Sequence, residues 1–154
     1  MKNFDLILNK VKALETKTFI NVSANNFTND EWKSVIKLLN GNYRIQFKQY
    51  QTDLILNYID YDLLQSFWNK QIDTGFMAIV YVENCEMNCF FNSREILDFD
   101  FLYNDSVNEK NLRSILVCIN ELSKTTSKVF YLEEDSYQND NAFLKISSNK
   151  STLI

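Results

Sequence analysis

The alternation of apolar and polar positions divides the chain into helical and extended stretches. Phe4, Ile7, Leu8, Val11 and Leu14 recur at helical spacing and predict a helix over 3–15. Thr18, Phe19, Ile20 and Val22, all β-branched or aromatic, predict a short strand over 18–23. Thr28-Asn29-Asp30-Glu31 forms a capping box, with Thr28 at the N-cap and Glu31 three residues on. Phe27 and Trp32 flank it as a hydrophobic staple. Trp32, Val35, Ile36 and Leu39 then make the buried stripe of a helix over 29–40, and Gly41 fits the left-handed position that ends one.

Residues 42–50 alternate cleanly. Tyr43, Ile45 and Phe47 face one way, while Arg44, Gln46 and Lys48 give the strand a basic outer face. A strand over 53–59 is expected to pair with it as a hairpin. Asp60 or Asp62 caps a third helix ending near Ile72, with Leu64, Phe67 and Trp68 buried. Gly75 opens the apolar run from Phe76 to Val82, whose continuity predicts a central strand. A turn over 84–88 and a short strand over 88–92 follow. Residues 93–105 read as irregular, with one helical turn near Arg94 to Leu97.

Ser106-Val107-Asn108-Glu109 is a second capping box. It starts a helix over 107–123 that buries Leu112, Ile115, Leu116, Ile119 and Leu122. A strand over 128–132, an acidic turn and a last strand over 142–147 precede a tail, 148–154, expected to fray. Together these predict a single α+β domain over 1–154. Its sheet would be mixed or mainly antiparallel, with about 5–7 strands and about four helices packed on it.

Composition narrows the chemistry. The 154 residues include no histidine, no proline, two glycines and three cysteines, with a net charge of −4. Without histidine there is no Ser-His-Asp or Cys-His catalysis and no imidazole metal ligand. Gly41 and Gly75 are too far apart for a P-loop, a dinucleotide fingerprint or a nucleophile elbow. Asn, Lys, Ile, Phe and Tyr supply 66 residues, while Pro, Ala, Gly and Arg supply nine. That bias follows AT-rich codons, so a low-GC bacterial or phage genome accounts for much of the glycine and proline deficit. Charges interrupt the N-terminal apolar residues, so no signal-peptide hydrophobic region forms. No apolar run is long enough for a bilayer. An odd number of cysteines and no sign of secretion point to a reducing cytoplasm.

The remaining candidate sites are thin. Cys85 and Cys89 are spaced C-x3-C, but with Cys118 they fall one ligand short of a structural zinc site. No histidine is present to activate a catalytic thiol. Asp98-Phe99-Asp100 resembles an Mg²⁺-binding D-x-D, since an extended i, i+2 pair points to one side. Glu15-Thr16-Lys17 and Glu31-Trp32-Lys33 fit half of a nuclease E-x-K signature, but Glu31 is explained by its cap. The net negative charge opposes nucleic-acid binding. No catalytic residue, metal or cofactor is therefore assigned.

Charge is unevenly spread. Residues 1–50 carry a net +4 and residues 51–154 a net −8. Residues 83–109 hold seven acids against Arg94 alone, and 130–142 hold four acids and no base. Phe99, Phe101, Tyr103, Tyr131 and Tyr137 lie among them. Acids interleaved with aromatics suit steering and anchoring of a basic protein partner. Asp98, Asp100, Asp105, Glu133, Glu134, Asp135 and Tyr137 are the expected contacts.

The segment Ile119-Asn-Glu-Leu-Ser-Lys-Thr-Thr-Ser-Lys-Val-Phe-Tyr-Leu-Glu-Glu134 runs helix, polar turn, then strand closing on acids. In layout it resembles the C-terminal portion of stand-alone immunity proteins of bacterial contact-dependent inhibition and other polymorphic toxin systems. The resemblance implies a cytoplasmic protein that occupies a toxin domain, often a basic nuclease, and blocks its active site. Two other readings remain open: a small Mg²⁺-dependent enzyme using Asp98 and Asp100, and a phage or mobile-element protein that binds a host factor.

Overall fold

A computed structural model describes residues 4–13, 18–103, 109–134, 142–147 and 150–154. The amphipathic N-terminal stretch forms α1 (Phe4–Lys12), which buries Phe4, Ile7, Leu8 and Val11; Leu14 lies outside the described residues. β1 (Thr18–Asn25) follows.

α2 (Asn29–Asn42) starts at the expected box. The Thr28 hydroxyl accepts from the Glu31 amide at 3.2 Å, and the Glu31 carboxylate accepts from the Thr28 amide at 3.3 Å. The staple closes as well, with the Phe27 and Trp32 rings 5.3 Å apart. Gly41 does not end this helix. It lies within α2 at negative φ. The last carbonyls are satisfied instead by the Asn42 side chain, which donates to Leu38 O at 2.8 Å, and by the Tyr43 amide, which donates to Leu39 O at 3.1 Å.

β2 (Arg44–Gln49) pairs with β3 (Ile55–Leu56), a two-residue strand shorter than its apolar pattern predicts. α3 (Tyr61–Trp68) is capped by Asp60, whose carboxylate accepts from the Leu63 amide at 3.1 Å. It ends before Ile72 on two reverse bonds, Lys70 N to Phe67 O and Gln71 N to Ser66 O. This is a Schellman turn with Lys70 at φ 61°, where glycine is usual. Asn26, Gln51, Glu83 and Ser127 also adopt positive φ. A chain poor in glycine places ordinary residues in left-handed turns.

β4 (Phe76–Val82) and β5 (Cys85–Phe90) form a hairpin, and β6 (Ile96–Tyr103) pairs with β5. β6 corrects the expectation of an irregular 93–105. Leu97, Phe99 and Phe101 alternate with Ile96, Asp98, Asp100 and Leu102, the signature of a half-buried strand. α4 (Glu109–Thr126) buries the predicted Leu112, Ile115, Leu116, Ile119 and Leu122. Most of its proposed capping box lies outside the described residues. β7 (Phe130–Glu134), β8 (Ala142–Ser147) and β9 (Lys150–Leu153) complete the chain. The C-terminal tail therefore is not frayed over 150–153: it pairs with β8.

The result is one α+β domain. Among the described residues its sheet has nine strands, all pairs antiparallel, in the order β3-β2-β4-β5-β6-β1-β7-β8-β9. The sheet is thus wider than the expected five to seven strands. One row of paired residues crosses eight of them: Leu144, Leu132, Val22, Phe99, Cys89, Ala78, Phe47 and Leu56. All but the edge residue Leu56 are buried. α2 and α4 pack on each other, and α4 also meets α1, β4 and β8. Trp32 of α2 and Trp68 of α3, 5.1 Å apart, close the core near Phe91. Gly75 packs closely at the start of β4: a Cβ there would lie 3.1 Å from the Phe67 ring, which would have to give by a few tenths of an ångström.

Candidate functional site

The residues alternating with that buried row form the opposite face of the sheet. Its central row runs Lys145, Tyr131, Ser23, Asp98, Phe90, Met77, Lys48 and Ile55 from β8 to β3. The adjacent row contains Glu133, Asn21, Asp100, Asn88, Ile79 and Gln46. Most of these side chains are half-buried, and Tyr131 and Ile55 are exposed. β4 is therefore buried on one face only. Met77, Ile79 and Tyr81 of its apolar run face outward, contrary to a strand covered on both sides.

The position of β1 organises the acids. It lies between β6 and β7, so Asn21 pairs with Asp100 on one side and Glu133 on the other. Strand spacing places those two backbones about 10 Å apart, and Asp98 and Asp100 about 7 Å apart along β6. Asn88 Nδ2 donates to Asp100 Oδ1 at 2.8 Å. Among the described residues neither Asp98 nor Glu133 makes an ion pair. Burial, then the neighbouring Asp100 and Glu133 carboxylates, push the Asp98 carboxyl up to about 6.

A carboxyl harder to ionise in the folded chain favours folding below its ordinary value, and that contribution is lost as pH rises from about 4 through about 6. D98N is thus expected to be more stable than wild type at pH 8, by about 1 kcal/mol after allowance for solvent screening. The advantage should vanish below pH 4. Urea titrations at both pH values measure it; equal midpoints at pH 8 would contradict it.

One expected contact, Glu134, and two of the interleaved aromatics lie off this face. Glu134 pairs opposite Ile20, one residue on from Glu133, and so alternates to the helix side of the sheet. Phe99 and Phe101 are core residues at 0% and 1% exposure, not surface anchors. Asp105, Asp135 and Tyr137 lie outside the described residues. The sequence reading missed Asn21, Ser23 and Asn88 between the acids, and the apolar sector of Met77, Ile79 and Phe90. The alternation of Leu97, Phe99 and Phe101 with Asp98 and Asp100 was an available signal for β6, whereas the continuous apolar run of β4 does not record which of its faces is open.

The cysteines do not gather. Cys85 and Cys89 belong to β5 and Cys118 to α4, and all three are free thiols. Burial raises the Cys89 thiol well above its ordinary value. Burial also pushes Cys118 up to about 11, against a hydrogen bond from Tyr43 that pulls it down. Both thiols therefore stay protonated, which opposes nucleophilic or metal-ligating roles. Among the described residues no three His, Cys, Asp or Glu side chains converge to hold a metal ion.

No family model, curated protein or solved structure matches the chain. Among the described residues no helix is long and apolar enough to cross a membrane. The shallow clefts at the β2 end, of about 510 and 440 Å³, share Arg44 and Tyr81. There the Arg44 guanidinium lies 3.7 Å from the Tyr81 ring centroid, a cation–π contact that holds the charge flat on the sheet.

Proposed function

We propose that this protein binds a basic protein partner on the open face of its sheet and acts as an immunity protein that neutralises a bacterial toxin domain. The observation that carries this reading is the junction of Asp98, Asp100 and Glu133 across Asn21, beside half-buried apolar side chains. Three acids in a partly desolvated field attract cations strongly. A lysine or arginine placed among them would offset the repulsion from Asp100 and Glu133 that adds to the effect of burial on Asp98, and so favour its charged form. Met77, Ile79 and Phe90 supply apolar contact next to the charges. The arrangement is that of an anchored, electrostatically steered interface.

The test is co-purification from the native host with tagged wild type and with D98K/D100K/E133K. The expected result is a basic polypeptide that binds wild type and binds the variant about tenfold more weakly, with a shallower salt dependence. That polypeptide should arrest growth when produced without the wild-type protein. Equal binding by both chains, or a partner harmless on its own, overturns the immunity reading.

A further inference from the structure

The open face carries base, apolar and acid in a spatial order that is its own complement. Over four neighbouring strands the central row reads Lys48 on β2, Met77 on β4, Phe90 on β5 and Asp98 on β6. A two-fold axis parallel to the strands, at the boundary of β4 and β5, reverses strand order and preserves height along each strand. It lays β2 of one copy over β6 of the other, and β4 over β5. Lys48 then faces Asp98 of the second copy and Met77 faces Phe90, with each contact made twice. At the next outward-facing level the same operation lays Gln46 over Asp100 and Ile79 over Asn88, and one level beyond it brings Tyr81 and Glu86 face to face.

We propose that a second copy of this chain covers the open face, forming a two-fold, face-to-face sheet dimer. Twisted antiparallel sheets pack in this way about 10 Å apart. The charges support it because each sits where a like charge would repel and an opposite charge is presented. Asp98, beside the like charges of Asp100 and Glu133, gains a cation from the second copy. The apolar side chains at the axis lose water. A patch about six strands wide and three side chains deep buries on the order of 600–800 Å² per copy, at the low end for a specific interface. The dimer is therefore weak, and it occupies the same acids that the proposed partner would use. Association with itself would hold the surface covered until a tighter, more basic protein displaces the second copy.

Sedimentation of the full chain across a concentration series at low salt tests this. The expected result is a reversible dimer with a Kd on the order of 10 µM. D98K and K48D should each loosen it at least tenfold, and D98K/K48D should restore it, because the swapped charges again face opposites. Lys48 is a solvent-accessible side chain, so K48D supplies the single-variant result should D98K fail to fold. A wild-type chain that stays monomeric to about 1 mM overturns the proposal. So does a double variant that dimerises no better than the single variants. The same variants separate this inference from the immunity reading: capture of a basic partner lost in D98K is not regained in D98K/K48D.

Discussion

Replacing Trp32 by alanine is expected to cost about 3–5 kcal/mol of unfolding free energy, a large share of the stability of a domain this size. Trp32 is fully buried, with its ring 5.3 Å from Phe27, 5.1 Å from Trp68 and 5.9 Å from Phe91. It joins α2, α3 and the segment that follows β5. Its indole N–H also donates to the Arg94 carbonyl, just ahead of β6. Arg94 in turn donates through Nη2 to the side-chain oxygens of Gln65 and Asn69 on the α3 side. Alanine therefore leaves both a cavity and an unpaired carbonyl. W32F should recover most of the packing and lose only the hydrogen bond, about 1–2 kcal/mol. Urea unfolding followed by circular dichroism measures both, and a W32A midpoint close to that of wild type would refute the assignment. Because β6 begins two residues after Arg94, W32A should also reduce the protection of β6 amides from exchange.

Asn40→Ala is expected to cost about 2–3 kcal/mol, by a different mechanism. The Asn40 side chain imitates a strand partner for Ile59. Its Nδ2 donates to Ile59 O at 3.0 Å, and its Oδ1 accepts from Ile59 N at 2.8 Å. Ile59 is only 2% exposed, so both backbone groups would otherwise be left unsatisfied next to the core. The pair ties the last turns of α2 to the chain entering α3. N40D keeps the acceptor and loses the donor, and its cost should lie between wild type and N40A. Hydrogen exchange gives a local readout, since the Ile59 amide should be protected in wild type and exchange rapidly in N40A. Unchanged Ile59 protection in N40A would contradict this role.

Asn40 also shows what sequence alone could not convey. Nothing in its surroundings marks it as more than a polar residue near a helix end, and its partner lies 19 positions on. Thr28 and Glu31 differ because their partners are three residues apart and stereotyped. Gly41 shows the limit of even a local signal. The left-handed terminus that glycine permits was not needed, since Asn42 and Tyr43 satisfy the carbonyls instead.

The candidate site divides along the same line. Asp98 and Asp100 can be placed on one side of an extended segment from their spacing alone. Their neighbourhood with Glu133 cannot, because it depends on β1, some 80 residues away in sequence, entering between β6 and β7. The aromatic residues interleaved with the acids were misleading for a physical reason. In a strand, neighbours in sequence point to opposite faces, so Phe99 and Phe101 are buried because Asp98 and Asp100 are not.

The sequence by itself determined the helices, the buried stripes of α2 and α4, the α2 cap and the exclusion of histidine-dependent chemistry, whereas in α3 only Leu64 of the expected Leu64, Phe67 and Trp68 is fully buried. Each rests on residue identity or on contacts within one or two turns. Only the tertiary structure decided the nine-strand order, the membership of β6 and β9, and the open face on which Asp98, Asp100 and Glu133 come together. Those depend on pairings between segments far apart in the chain, and a strand's own pattern records which of its sides is buried but not which strand lies beside it.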